Sequence, residues 1–269
     1  MSRYLGFAWL IIAGLAVVPV HARGSVSEQV QIGPPPMRRA EPPAPGASAD
    51  QLEQRGDDLR AGKAFVDALD FYRAALAKKP NDAQIYNKAG ITELLLQRYI
   101  DARKDFERSL HIDRGYSDAA NNLGVIFYLE KKYTKAISQY EKAIKMRGDA
   151  AAFHSNLGAA YFSRKEFDKA SAAYTQAVLL DPDVFEHSTH AGIAAQMSSP
   201  GDRAHYDYLL AKLFAKQDNA DRALQYLRRA MEEGYKGIDE VLTDDEFASL
   251  RKDPRFTQLM ASRPPAIPE

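Results

Sequence analysis

Apolar residues recur at intervals of three and four along the chain from residue 49 onwards, which is the period of an amphipathic helix. The stretch TKAISQYEKAI, residues 134–144, places its alanines, isoleucines and tyrosine on one helix face. The preceding stretch NNLGVIFYLE, residues 121–130, has the same period, and helix-starting residues such as Ser117 and Asp149 separate such stretches. The pattern predicts pairs of short helices and no β-strand in this part of the chain.

These helical stretches repeat every 34 residues. Each copy has a glycine, an alanine twelve residues later and an aromatic residue four further on. The glycines are Gly56, Gly90, Gly124, Gly158 and Gly192, the alanines are Ala68, Ala102, Ala136, Ala170 and Ala204, and the aromatic residues are Tyr72, Phe106, Tyr140, Tyr174 and Tyr208. Columns that agree over five copies indicate an internal repeat.

Each copy resembles the tetratricopeptide repeat (TPR), whose pattern has Leu-Gly-x-x-Tyr in the first helix, then Ala, an aromatic residue and Ala, and a closing Pro. The fourth copy matches this pattern at Leu157, Gly158, Tyr161, Ala170, Tyr174, Ala177 and Pro182. Copies two and three depart from it, with Arg114 and Gly148 in place of the proline and Glu93 in place of the first-helix tyrosine. The resemblance covers residues 49–237. It implies an all-α fold, a right-handed α-α superhelix of five to six helical hairpins with a short C-terminal helical cap.

The glycine column has a physical explanation in this fold, although glycine in a helix interior costs roughly 1 kcal/mol relative to alanine. Two antiparallel helices approach closely only where the crossing point lacks large side chains. We expect each glycine to meet the alanine that follows it by twelve residues, as Gly124 would meet Ala136, with aromatic residues such as Tyr140 beside them. The glycines, alanines and aromatic residues of the columns are therefore predicted to be structural.

The period divides the chain into segments. Four repeats are predicted at 49–82, 83–116, 117–150 and 151–184, followed by degenerate repeat-like helices at 185–237 and a C-terminal cap at 238–263. The helix near 204–217 fits two roles, because its residues match either the second helix of copy five or the first helix of copy six.

The N-terminal segment predicts export. Residues 1–22 have a basic start, an apolar stretch and small residues at Val20 and Ala22, as in a secretory signal peptide cleaved after Ala22. The alternative is an uncleaved anchor in the inner membrane formed by residues 5–20. Residues 23–48 are rich in Pro, Gly, Ala and Ser, and predict a disordered linker. The protein is thus expected to be periplasmic or secreted, and to contact a membrane only if the N-terminal segment is uncleaved.

The composition of the chain argues against several classes of function. The 269 residues contain 36 Lys and Arg against 36 Asp and Glu, so no net charge favours nucleic acid. Cysteine is absent, which excludes disulfides and thiolate chemistry. No catalytic, nucleotide-binding or cofactor motif occurs, and no small-molecule substrate is evident. The protein is therefore expected not to be an enzyme and to need no cofactor.

The resemblance also implies where a partner would bind, since the first helices of such repeats line a concave groove. The groove positions are Asn87, Ile91, Leu94, Asn121, Asn122, Val125, Tyr128, Asn156 and Phe162. Carboxamides such as Asn122 and Asn156 can donate to and accept from the backbone of an extended peptide. The alternative is that these asparagines bond within the helix layer or to water. The lysines of the two-carboxylate clamp found in some members of the family are missing.

The expected function is that of a non-catalytic scaffold in the cell envelope, which binds a protein or peptide partner in this groove. One alternative is a self-associating structural protein. A further alternative is a metal-dependent enzyme or ligand binder around His187 and His190, which lie three residues apart and would share a helix face.

Overall fold

The computed structural model describes residues 40–187 and 200–265, and every regular element in these two ranges is helical. The α-helices are α1 (Ala49–Ala61), α2 (Phe65–Lys78), α3 (Ala83–Leu95), α4 (Tyr99–Ile112), α5 (Ser117–Leu129), α6 (Tyr133–Met146), α7 (Ala151–Ser163), α8 (Phe167–Leu180), α9 (Val184–His187), α10 (Pro200–Lys216), α11 (Ala220–Glu232) and α12 (Pro254–Ala261). Short 3₁₀ helices occupy Ile238–Leu242, Asp245–Phe247 and Leu250–Lys252. The predicted all-α solenoid is confirmed.

Helices α1 to α8 form four consecutive hairpins, and each of the four predicted repeat segments contains one of them. The turn inside every hairpin has the same geometry. Of its three residues, the second has a left-handed φ between 58° and 62°, at Lys63, Gln97, Lys131 and Lys165. The next residue then donates its N–H to a carbonyl of the first helix, as Lys132 does to Phe127 at 2.8 Å. This Schellman arrangement satisfies the carbonyls at the end of the first helix while the chain reverses.

Helix α10 is the first helix of the last hairpin, and so it is not the second helix of copy five. Its turn to α11 repeats the geometry of the other four, with Asp218 at φ 57° and the Asn219 N–H donating to the Phe214 carbonyl at 2.9 Å. The ring of Phe214 stacks on that of Tyr226 in α11, with centroids 5.4 Å apart. Asp218 follows Lys165 by 53 residues, against 34 between Lys131 and Lys165, so extra residues precede this hairpin.

The repeated glycines allow the helices of each hairpin to approach, as the sequence predicts. A Cβ atom built on Gly124 would lie 2.5 Å from Cε1 of Tyr140. The corresponding distance from an added Cβ to the nearest ring atom is 2.5 to 2.7 Å for the pairs Gly56 with Tyr72, Gly90 with Phe106 and Gly158 with Tyr174. The atoms nearest to each glycine thus belong to the aromatic ring sixteen residues later. The predicted contact between each glycine and its alanine stays a prediction, and Ala68, Ala102, Ala136 and Ala170 are fully buried in the core.

The C-terminal segment folds back on the last hairpin. Phe247 and Leu250 of the 3₁₀ helices, and Phe256 and Leu259 of α12, are buried in one core with α10 and α11. The Arg251 guanidinium donates to the carbonyl of Asp244 at 2.7 Å and to that of Val241 at 3.1 Å, which holds the loops between these short helices together.

Several predictions fall on residues outside the described ranges. They are the signal peptide or anchor, the linker up to residue 39, Gly192 and His190. Within the ranges that the structure describes, no helix is long and apolar enough to cross a bilayer.

Candidate protein-binding face

Four asparagines on the first helices are joined by hydrogen bonds into one row that crosses three hairpins. The Asn156 amide donates to the Asn121 oxygen at 2.9 Å, Asn121 donates to Asn122 at 3.2 Å, and Asn122 donates to Asn87 at 3.0 Å. Asn87 then donates to the hydroxyl of Tyr116 at 3.5 Å. The α3, α5 and α7 helices supply the four amides, so the repeat itself brings them together. We call this the amide row.

The amide row retains hydrogen-bonding capacity. A carboxamide has two N–H donors and an oxygen with two lone pairs, and each bond of the row uses one donor and one lone pair. Asn87 and Asn121 are buried, with 4% and 8% of their surface exposed. Asn122 and Asn156 are only partly buried. These two are the members that a partner can reach, and their side chains are held in place by the bonds to their neighbours.

Ion pairs join the first helices at the N-terminal end of this face. Lys88 of α3 reaches Glu53 of α1 at 2.7 Å and Asp57 at 2.6 Å, and the Tyr72 hydroxyl donates to the same Asp57 at 2.7 Å. Burial lowers the pKa of Lys88, but its bonds to Asp57 and Glu53 outweigh burial and leave that pKa raised. Burial raises the pKa of Asp57, but the Lys88 and Tyr72 hydrogen bonds outweigh it and leave that pKa lowered. Lys88 and Asp57 are therefore both charged at neutral pH.

The apolar residues predicted for the groove divide into two sets. Ile91, Leu94 and Val125 are partly buried against the hydrophobic core and keep some exposed surface. Tyr128 is 6% exposed, and its hydroxyl lies 2.9 Å from Ser163 of the next hairpin. Burial raises the pKa of Tyr128, so the hydroxyl stays neutral. Only the first three are accessible to a partner through their side chains.

Phe162 is not a groove residue, and its prediction is wrong. Its side chain is 1% exposed, because the start of α10 packs over it. Its ring makes edge contacts with those of His205 and Tyr206 of α10 at 5.5 and 6.0 Å, and with Phe167 at 5.3 Å.

The first-helix face is covered at its C-terminal end by the chain itself. The hairpin register aligns Tyr208 and Lys212 of α10 with Asn121 and Val125 of α5. The Tyr208 hydroxyl donates to Asp244 at 2.9 Å, and Lys212 pairs with the same carboxylate at 2.9 Å. The Tyr235 ring stacks on Tyr208 at 4.4 Å. The face open to a partner therefore comprises α1, α3, α5 and α7.

Sequence reasoning left out several residues of this face. Glu53 and Asp57 occupy the fifth and ninth positions of the first repeat, so the same register would have identified them. Tyr116 precedes α5 and carries no periodic signal. The pairing of Tyr208 and Lys212 with the C-terminal segment depends on the extra residues before α10, which the period does not predict.

Among the described residues, no group of three His, Asp or Glu side chains is arranged to hold a metal. The side chain of His187 and all of His190 lie outside that region.

Comparison with known proteins agrees with the helical repeat. Two family models match, described as "TPR repeat" over residues 124–163 and "Tetratricopeptide repeat" over residues 151–184. The human serine/threonine-protein phosphatase 5 is 31% identical over 91 residues, which cover 33% of this chain and 18% of the phosphatase. This chain thus spans less than a fifth of that relative.

Two solved structures are similar to this chain. MamA of Desulfovibrio magneticus RS-1 superposes with a TM-score of 0.50 at 20% identity, covering 71% of this chain and 97% of that one. YrrB superposes with a TM-score of 0.47 at 19% identity, covering 70% of this chain and 87% of YrrB. At 20% identity the likeness to MamA shows the fold alone. The two repeat models together match residues 124–184, and the hairpin turn geometry of that segment recurs in the helices before it, so residues 124–184 carry tetratricopeptide repeats.

Proposed function

We propose that this protein is a non-catalytic scaffold that binds an extended segment of a partner protein across the first helices α3, α5 and α7. Proteins of the tetratricopeptide-repeat family are generally non-catalytic interaction scaffolds, which supports the general function. The observation that carries the specific proposal is the amide row. It offers donors and acceptors in fixed positions over three hairpins, which suits the backbone of a bound segment.

The chemistry of the face indicates the kind of segment. The accessible side chains around the row are the amides of Asn122 and Asn156 and the apolar groups of Ile91, Leu94 and Val125. Lys88 is already paired with two carboxylates of α1. An uncharged segment with small or apolar side chains fits this surface better than a strongly acidic or basic one.

The test is a double substitution in the amide row. Asn122→Ala with Asn156→Ala removes the two accessible amides, and partner binding should weaken by roughly 1–3 kcal/mol, the range for lost hydrogen bonds in a buried interface. The matched control is Gln176→Ala with Gln225→Ala, which removes two exposed amides from the second helices α8 and α11. Binding is measured by titrating the purified chain with a partner segment selected from a peptide library, and thermal melts verify the fold. Equal affinities for the two double variants would contradict the assignment of the face.

We further propose that the scaffold acts in the cell envelope, in the periplasm or as a secreted protein. The support is the sequence of residues 1–22, which has the layout of a signal peptide cleaved after Ala22. Mass spectrometry of the protein recovered from an expressing bacterium tests this. A mature chain that starts at Arg23 supports export with cleavage. A full-length chain recovered only from the cytoplasm would overturn it, and a full-length chain in the inner membrane indicates the anchor alternative.

A further inference from the structure

A second surface lies at the turns between the two helices of hairpins two, three and four. We call it the turn edge, residues 95–100, 130–135 and 164–165. The turns are neighbours in space. Arg103 at the start of α4 pairs with Glu130 of the next turn at 3.7 Å, and Arg164 of the fourth hairpin donates to the Thr134 hydroxyl at 2.9 Å. The side chains of adjacent turns are therefore in contact and form one continuous surface.

The turn of the second hairpin exposes apolar side chains. Ile100 is 66% exposed, Leu95 45% and Tyr99 37%. Six large apolar residues are strongly exposed among those the structure describes, and these three fall within six positions. Concentration in one turn is unlike the scattered single apolar residues of ordinary protein surfaces and marks an interaction site.

The adjacent turn carries a basic depression at the start of α6. It has a volume of about 260 Å³ and is lined by Lys131, Lys132, Tyr133, Thr134, Lys135 and Arg164. No side chain caps the start of α6, and its first two residues, Tyr133 and Thr134, line the depression. A helix N-terminus carries a partial positive charge that adds to the four cationic side chains.

Carboxylates neutralise only part of this charge. Glu130 pairs with Lys132 at 2.7 Å, and Glu166 pairs with Arg164 at 2.7 Å. Lys131 and Lys135 have no carboxylate partner among the described residues, although Lys135 lies over the Phe127 ring at 5.7 Å. The depression therefore retains two uncompensated positive charges next to the exposed apolar turn.

We propose that the turn edge docks on an anionic lipid surface, with the phosphate of a headgroup in the depression and the side chains of Ile100, Leu95 and Tyr99 in the interfacial layer. Basic groups beside exposed apolar and aromatic side chains match the charge and polarity of such an interface. A lipid surface fits better than a peptide, because Tyr99 and Ile100 begin α4 with exposed side chains that a broad interface can contact together with the basic depression. The first-helix face remains free for a protein partner.

Flotation of the full chain with lipid vesicles tests this proposal. One set of vesicles contains phosphatidylcholine alone, and the other contains phosphatidylcholine and phosphatidylglycerol in equal parts. The full chain should bind the anionic vesicles more strongly, and Lys131→Gln with Lys135→Gln should weaken that binding by about tenfold or more, given the contribution of each basic residue near an anionic membrane. Ile100→Ser should weaken it by a similar factor, of about tenfold, through the lost apolar contact.

Matched controls separate the edge from the rest of the surface. Lys142→Gln with Lys145→Gln removes the same charge from exposed positions further along α6, and Leu179→Ser removes an equally exposed leucine at the far end of α8. Both should bind like the unchanged chain. Residues 1–39 are present in every variant, and lipid is titrated below saturation so that a difference between variants reflects the substituted positions. The proposal is overturned if the edge variants bind anionic vesicles as their controls do. It is also overturned if anionic vesicles give no advantage, or if the chain binds inorganic phosphate or polyglutamate but not vesicles.

Discussion

Asp207 on α10 is a buried carboxylate that weakens the fold at neutral pH, and replacing it should increase stability. Its side chain is 1% exposed, and neither carboxylate oxygen receives a hydrogen bond from the described residues. Arg229 lies 3.3 Å away, within ion-pair distance, but its side chain is 47% exposed and so keeps much of its hydration. Burial raises the pKa of Asp207 to about 7, although Arg229 lowers it in part.

This shift sets the sign and size of the effect. The folded protein holds the Asp207 proton up to about pH 7, whereas the unfolded chain releases it near the ordinary value of 3.8. Stability is therefore full below that value, falls as the pH rises towards 7 and is level above it. The difference of about three pH units corresponds to about 4 kcal/mol, at 1.36 kcal/mol per unit.

The variant Asp207→Asn removes the charge and buries an amide without a partner, but the protonated carboxyl of Asp207 is buried without a partner as well, so the two side chains have similar costs at low pH. We therefore expect the variant to stabilise the protein by up to about 4 kcal/mol at pH 8 and to change its stability little at pH 4. Urea denaturation between pH 4 and pH 8 measures both. The half-buried His205 on the same helix has a pKa lowered by burial, which reduces stability as the pH falls, but it is present in both proteins and cancels in the comparison.

Asp245→Asn is the matched control, because Asp245 is exposed in the same C-terminal unit. It should change stability little at any pH. If Asp207→Asn kept the pH dependence of the unchanged protein, the carboxylate would not be responsible, and the reasoning from burial would fail.

Two further predictions concern the repeat core. Gly124→Ala should destabilise the protein by about 1–3 kcal/mol, because the added Cβ would lie 2.5 Å from the Tyr140 ring, and this outweighs the better helix propensity of alanine. A melting temperature equal to or higher than that of the unchanged protein would contradict this. Tyr174→Phe should be neutral or stabilising by up to about 1 kcal/mol, since the Tyr174 hydroxyl is buried without a hydrogen-bond partner in the described region. Tyr72→Phe should instead lower the stability by about 1 kcal/mol, because the Tyr72 hydroxyl donates to Asp57. Equal denaturation midpoints for the two variants would count against the hydrogen-bond argument.

The hairpins could be predicted from the sequence because the residues that form them are local and periodic. Gly124 and Tyr140 lie on adjacent helices of one hairpin, so a spacing of sixteen residues encodes their contact. Even here the pattern did not single out the aromatic column as the nearest neighbour of the glycines, because it records which residues recur and not which atoms touch. The role of α10 was open for the same reason, and the left-handed turn at Asp218 decided it.

The candidate face was less predictable because its properties depend on contacts between repeats. The register placed Asn122 and Asn156 on the first helices but gave no sign that they bond to Asn87 and Asn121. Phe162 occupies a groove position in the repeat and is nevertheless buried, because a helix that follows extra residues packs over it. Contacts made by a segment that breaks the period leave no periodic signal.

The two proposed surfaces differ in a way that separates them experimentally. The amide row offers hydrogen bonds and apolar contacts beside a lysine that is already paired, so binding there should change little with ionic strength. The turn edge relies on the charges of Lys131 and Lys135, which are exposed to water and are screened by salt over about 8–10 Å at 0.1–0.15 M. Raising the salt concentration should therefore release the chain from anionic vesicles while a partner segment stays bound to α3, α5 and α7. Loss of both interactions at the same salt concentration would mean that one charged surface accounts for them, and the assignment of separate sites would then be wrong.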